Sequence, residues 1–175
     1  LGVIPQSIPA SDVFSSLGKG TIDATEFVGP YDDEKPGLQA VAPYYYVPGF
    51  WEGSAGLSFY VNKEKWETLP KLYQDAFATV SAEVNQWMIA KYDAENPKAL
   101  ATLTQNGAKL RSFSKEILSA EYKATQEIYT EESAKNPDFK KIYDHWSAFH
   151  NQEYQWFRIN ENIFQQFMFS ETRRK

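Results

Sequence analysis

The sequence predicts an α/β protein. Short β-prone segments, broken at Gly-Pro and Pro-Gly, occupy its first part, and long helices with apolar stripes follow. Two of those segments end beside a carboxylate. Thr21 to Val28 stops at Gly29-Pro30 and carries Glu26, and Tyr44 to Val47 stops at Pro48-Gly49 with Glu52 just beyond. Open α/β domains hold ligands in the crevice outside the carboxyl ends of their strands. Two acids with aromatic neighbours at two strand ends therefore point to a small polar site with apolar walls.

The elements follow in order. A brief strand is expected up to Ser7-Ile8-Pro9. Ser11 then caps a two-turn helix over Asp12 to Leu17, which Gly18 and Gly20 end. Ile22 to Val28 reads as a strand. Asp32 and Asp33 are placed to cap a short helix from Glu34 to Val41, with Pro36 tolerated only in its first turn. Tyr44 to Val47 and Leu57 to Val61 read as further strands, rich in aromatic and branched residues. On the first of these, alternation would turn half of Tyr44, Tyr45, Tyr46, Phe50 and Trp51 to the core and half to a cleft.

From about residue 70 to 106 the apolar residues Leu72, Ala76, Val80, Val84, Trp87, Ala90 and Ala94 recur at steps of three and four, one stripe of a long helix. Pro97 should kink it and Gly107 should end it. Leu110 to Phe113 reads as a short strand, Ser114 to Ala134 as a helix, and Asn136-Pro137 opens a final helix to about Phe169. Together these give an α/β lobe over 1–113 with its long helix at about 70–106, then C-terminal helices over 114–175. The charged end Glu171 to Lys175 should fray.

Composition narrows the function. A net charge of -5 argues against a nucleic-acid partner, which needs a basic face. With no cysteine, neither a disulfide framework nor a thiolate metal site exists. No run approaches the ~20 apolar residues of a membrane span. Leu1 to Pro5 lacks an initiator Met and reads as the middle of a domain, so part of the protein is expected to precede it.

Catalytic signatures are sparse. There is no GxSxG, P-loop or GxGxxG, and no nucleophile with a base beside it. His145 and His150 lie five apart, not the four of a helical metal pair, and read as packing residues. Glu26 has three readings: a cation ligand, a hydrogen-bond acceptor, or a solvated acid. Glu52 has the same three. A fourth reading makes them the acid pair of a carbohydrate-active enzyme, with the aromatics as sugar platforms.

At these residues the chain resembles a known family. Gly20 to Asp33, Tyr44 to Glu52, Val61-Asn62-Lys63, Lys91 to Leu100 and Phe139 to Tyr143 are similar to the extracytoplasmic solute receptors of TRAP (tripartite ATP-independent periplasmic) transporters. The likeness is greatest to the branch that binds 2-oxo acids and related hydroxy acids. The resemblance covers essentially the whole chain.

It implies a fold of two α/β lobes, of which this chain would be the second lobe and the C-terminal helices. It implies a periplasmic receptor rather than an enzyme, which hands a small organic acid to the TRAP permease membrane subunits. In that branch a Na+ or Ca2+ ion bridges the substrate carboxylate to the protein. The resemblance places Glu26 as a side-chain ligand to the metal and Phe27 as a backbone-carbonyl ligand. Phe27, Trp51 and Glu52 would border the substrate. Relatives usually carry Trp where this chain has Phe27, which leaves a smaller wall without an N–H donor. The substrate-pairing arginine and a glutamine ligand would lie upstream of Leu1.

Hard cations prefer oxygen ligands, and a carboxylate with a neighbouring carbonyl supplies them. The final helix is expected to serve assembly. Trp146, Phe149, Trp156, Phe157, Phe164 and Phe167 give it an apolar face that is costly to leave in water. Some relatives exchange this helix between two subunits. A homodimer through residues from about Asn136 to Phe169 is therefore expected.

Overall fold

A computed structural model describes residues 2–51 and 55–172. The chain divides into two compact units, Gly2–Ser114 and the helices from Lys115 onward.

The first unit begins with a 3-10 turn at Ala10–Asp12 that runs into helix α1 (Val13–Gly18). Val13 and Leu17, one turn apart on α1, bury themselves against Leu38. Ile8, Ile22, Phe27, Val41 and Ala42 close around these three. A very short helix α2 (Pro30–Asp33) follows, with Pro30 at its first position, where a missing N–H costs nothing. A 3-10 turn at Leu38–Ala40 leads to strand β1 (Tyr44–Val47).

Helix α3 (Lys63–Thr68) is capped by Asn62, whose side chain accepts the Lys65 N–H at 3.0 Å. It turns directly into helix α4 (Lys71–Gln105), and the Gln74 amide bridges the junction by donating to the Trp66 and Leu69 carbonyls at 3.0 and 3.1 Å. Helix α4 has 35 residues and remains one helix through Pro97. At ~1.5 Å per residue it is about 50 Å long. Gly107, with φ +99°, sits in the left-handed region that ends a helix cheaply only at glycine.

The chain then enters strand β2 (Lys109–Ser112), which lies parallel to β1 in the register Tyr44↔Lys109 to Val47↔Ser112. The ladder extends at both ends. Lys109 N–H donates to the Pro43 carbonyl at 2.7 Å, and Phe113 N–H to the Val47 carbonyl at 3.0 Å. Parallel neighbours need a long crossover, which α3 and α4 provide.

The second unit is helical: α5 (Lys115–Lys135), α6 (Pro137–Phe157), a π-helical turn at Arg158–Asn162, and α7 (Ile163–Thr172). Helices α5 and α6 meet through Tyr129, whose ring lies 4.9 Å from that of Tyr143 and 6.3 Å from that of Trp146. Asn136 caps α6, its side-chain oxygen accepting the Asp138 and Phe139 N–H groups at 3.0 and 3.1 Å. Replacing Asn136 with alanine is expected to cost about 1 kcal/mol. Urea unfolding would show this as a lower midpoint with an unchanged slope.

The structure departs from the sequence expectations at several points. Ile22 to Val28, Leu57 to Val61 and the segment before Pro9 are not strands, because no ladder partner lies beside them among the described residues. Branched and aromatic residues favour an extended backbone, but a strand also needs a neighbour. Asp32 and Asp33 lie inside α2, whose N-cap is Gly29, so they do not cap a helix from Glu34 to Val41. The final helix runs as expected, but it passes through a π turn at Arg158–Asn162, which the sequence reading did not foresee. The apolar stripe in the first half of α4 is exposed, with Leu72, Val80, Val84 and Trp87 all open.

Candidate functional site

Glu26 and Phe27 stand on the irregular segment between α1 and α2. The Glu26 side chain is exposed, and its carbonyl accepts the Thr25 hydroxyl at 3.0 Å. The Phe27 ring is half-buried against the Val13, Leu17 and Leu38 cluster. Phe27 belongs to no helix or strand, so its carbonyl is not committed to a ladder.

Beyond Phe27 the chain is held by Asp33. This carboxylate is only 8% exposed. Its Oδ1 accepts the Val28 and Gly29 N–H groups, each at 3.2 Å, so it reaches back over the start of its own helix. Its Oδ2 accepts the Tyr45 hydroxyl at 2.5 Å. Burial, together with that bond, pushes the Tyr45 phenol far above its usual range and keeps it a donor. Asp33 thus connects the Glu26 segment to β1.

Helix α2 is also fastened to α4. Asn96 Oδ1 accepts the Tyr31 N–H at 3.0 Å. Asp32 accepts the Tyr92 hydroxyl at 2.5 Å and pairs with Lys35 at 2.7 Å. The Tyr31 and Tyr92 rings meet edge to face at 6.0 Å, and the Lys35 ammonium lies 3.9 Å from the Tyr31 ring centre. Burial raises the Asp32 pKa, but the Lys35 and Tyr92 hydrogen bonds and the charges of Lys35 and Lys91 outweigh it, so the net shift is downward. A lowered carboxyl pKa adds stability above the ordinary carboxylate range and loses it as pH falls through the lowered value. An open hollow of ≈ 580 Å³ lies beside this fastening, lined by Phe27, Val28, Asp32, Lys35, Pro36 and Tyr92. Among the described residues that line it, the one cation, Lys35, is paired with Asp32.

The aromatic residues gather at the carboxyl end of the parallel pair. The Phe113 ring, just past β2, lies 5.1 Å from Tyr46, 5.3 Å from Phe50 and 6.4 Å from Trp51. Phe50 and Trp51 meet edge to face at 4.2 Å. Trp51 is 50% exposed, so part of its ring remains available beyond the strand end. On β1 itself Tyr45 and Val47 are half-buried while Tyr44 and Tyr46 are exposed, the expected alternation. Glu52 lies outside the described residues.

Phe27 and Trp51 therefore sit in separate contact sets, one on the α1 cluster and one at the sheet end, which Asp33 and Tyr45 connect. Among the described residues no cluster of three or more His, Cys, Asp or Glu could hold a metal. Glu26 and the Phe27 carbonyl fit a hard cation by donor type, but they are only part of its usual six to eight oxygens. His150 packs between the Trp146 and Tyr154 rings at 4.7 and 4.3 Å, and His145 is exposed. Asp33 and Asn96 carry bonds that sequence reading did not find. An acid three or four residues after Gly-Pro was the available signal for Asp33, since such acids reach back to the N-cap.

The sequence pattern of the bacterial extracellular solute-binding proteins, family 7, matches residues 1–136. The chain belongs to this family. Among its relatives, the monocarboxylate 2-oxoacid-binding periplasmic protein of Nostoc sp. is 43% identical over 95% of this chain and 46% of its own length. A TRAP transporter solute-binding protein from Bordetella bronchiseptica, a mixed-occupancy dimer with copurified calcium and picolinate in one active site, is 49% identical. It superposes with a TM-score of 0.91 over 99% of this chain and 52% of that one.

A TRAP periplasmic solute-binding protein from Pseudoalteromonas atlantica, with bound sodium and pyruvate, is 25% identical with a TM-score of 0.81. It matches 94% of this chain and 50% of that one. The chain thus spans about half the length of these relatives and has the fold of that half of a TRAP solute-binding protein, an α/β lobe followed by long helices. Family 7 proteins are extracytoplasmic substrate-binding receptors of transporters, not enzymes. That removes the carbohydrate-enzyme reading of Glu26 and Glu52. Among the described residues no helix is long and apolar enough to cross a membrane.

Proposed function

We propose that this chain forms part of a periplasmic receptor that captures a small 2-oxo or 2-hydroxy carboxylate through a bridging Ca2+ or Na+ ion and presents it to TRAP permease subunits. The observation that carries this reading is the 49% identity, over 99% of the chain, to a receptor holding calcium and picolinate. Picolinate and pyruvate, the ligand of the Pseudoalteromonas receptor, share one chemical feature. Each sets a second donor atom, a ring nitrogen or a keto oxygen, beside a carboxylate, so each can chelate a cation through two atoms. A 2-hydroxy acid offers the same pair.

In this chain the cation would take the Glu26 carboxylate and the Phe27 carbonyl. It would offset the repulsion between Glu26 and an anionic substrate. Trp51 and the Phe27 ring would give the site its apolar border, with Glu52 beside them. Calorimetry on the intact receptor with pyruvate, lactate and longer 2-oxo acids tests this. Binding that disappears with a chelator, and is absent for propionate, is the expected result. Failure to bind any small carboxylate would overturn the proposal.

The same receptor is proposed to be a homodimer through the final helices. Trp156 is 56% exposed and Phe164 63%, with Phe149 and Phe167 similarly open. Exposed apolar surface of this extent marks an interface. Light scattering should show a dimer at micromolar concentration that dissociates in Trp156→Lys and Phe164→Lys. A monomeric wild type refutes it.

A further inference from the structure

We propose that Asp33 is a positioning residue that aims the Phe27 carbonyl at the bound cation, with Tyr45 as its anchor; this rests on the receptor reading above. The argument begins with the peptide plane. The Phe27 carbonyl and the Val28 N–H belong to one planar peptide unit, and this peptide is not among the cis bonds of the described chain. In a trans unit the two groups point in opposite directions. Asp33 Oδ1 grips the Val28 N–H at 3.2 Å and so fixes which way the Phe27 oxygen faces, away from the Asp33 carboxylate. Its second bond, to the Gly29 N–H at 3.2 Å, prevents the next peptide from rotating in compensation.

A helix cap would need no more than this. The other carboxylate oxygen goes further, to the Tyr45 hydroxyl at 2.5 Å, twelve residues along the chain. Tyr45 lies on β1, whose paired register is set by β2. The Phe27 carbonyl is thereby referenced to the sheet rather than to its own loop. The same chain, six residues beyond Tyr45, carries Trp51, the aromatic proposed to border the substrate. Asp33 is 8% exposed, which shields these bonds from competing water. A hydrogen bond from an N–H to a carboxylate also polarises its peptide and makes the carbonyl a better donor to a cation. Outer partners of this kind commonly change metal affinity about 10- to 100-fold.

The test uses the intact receptor and Ca2+ titrations by calorimetry in the presence of pyruvate, with thermal unfolding in chelator followed separately. Asp33→Ala should weaken Ca2+ binding about 10- to 100-fold. Asp33→Asn keeps an oxygen for the Val28 and Gly29 N–H groups and should recover most of the affinity, a rescue that loss of stability alone does not predict. Tyr45→Phe, which removes only the anchor, should weaken Ca2+ binding several-fold. Wild-type affinity in a folded Asp33→Ala, alongside lost binding in Glu26→Ala, overturns the proposal while leaving the receptor reading intact. Wild-type affinity in Glu26→Ala sinks the assigned metal site itself. Where Asp33→Ala does not fold, unchanged affinity in Tyr45→Phe overturns the proposal.

Discussion

Replacing Glu26 with alanine in the intact receptor is expected to weaken binding of a 2-oxo acid by about 100-fold or more. The reason is electrostatic. On the proposed reading Glu26 is the anionic ligand this chain gives the bridging ion, and the substrate carboxylate would lose its counter-charge with the ion. Partners that only support a metal ligand already change affinity about 10- to 100-fold, a direct ligand should count for at least as much, and 100-fold is about 2.7 kcal/mol. Glu26→Gln keeps an oxygen but not the charge, and should fall between. Because Glu26 is exposed in this chain, neither change should lower the unfolding midpoint in chelator by much. Calorimetry across a Ca2+ series checks both, and wild-type affinity and metal dependence in both variants would show the site to be elsewhere.

Leu103→Ala is expected to give the largest loss of stability in the Gly2–Ser114 unit. Leu103 is 1% exposed, the most deeply buried large side chain described, and Ala99 is buried one turn before it. These residues seat the last turns of α4, from which the chain enters β2 through Gly107. Large-to-small changes at such sites cost about 2–5 kcal/mol, the removed surface plus the cavity left behind. Against a total of about 5–15 kcal/mol for an ordinary domain, that is a substantial fraction. Urea unfolding should show it directly, and a loss below about 1 kcal/mol would mean that the end of α4 is not docked as described.

What the sequence made legible follows from the range of each interaction. Helix α4 was readable over almost its whole length because periodic apolar residues and Gly107 are local signals. The two paired strands were readable from their aromatic and branched residues between turn residues. Ile22 to Val28 carried the same local signal and is not a strand, since pairing depends on what lies alongside.

The candidate site divides in the same way. Glu26 and Glu52 stood out by their place beside the Gly-Pro and Pro-Gly breaks, whereas the role of Phe27 and the grouping into one ligand set came from the family resemblance. The Asp33 to Tyr45 bond joins residues 12 apart and the Asn96 to Tyr31 bond joins residues 65 apart. No spacing rule reaches across such gaps. The π turn at Arg158–Asn162 was missed because such a turn has no strong composition of its own.

That turn has a mechanical meaning. A π turn carries one residue more than an α turn, and one residue on a helix is a rotation of roughly 100°. The rings of α7 are therefore indexed differently from those of α6, like two gears on one shaft set out of phase. Counted as one unbroken helix at roughly 100° per residue, the aromatic residues from Trp146 to Phe167 would share about half of the circumference. With the phase step included, the α7 rings turn away from the α6 row, so the two rows face different directions. A neighbour straight enough to mesh with the first row would disengage at the second. On the proposed dimer, a partner helix that engages both rows would need a matching step.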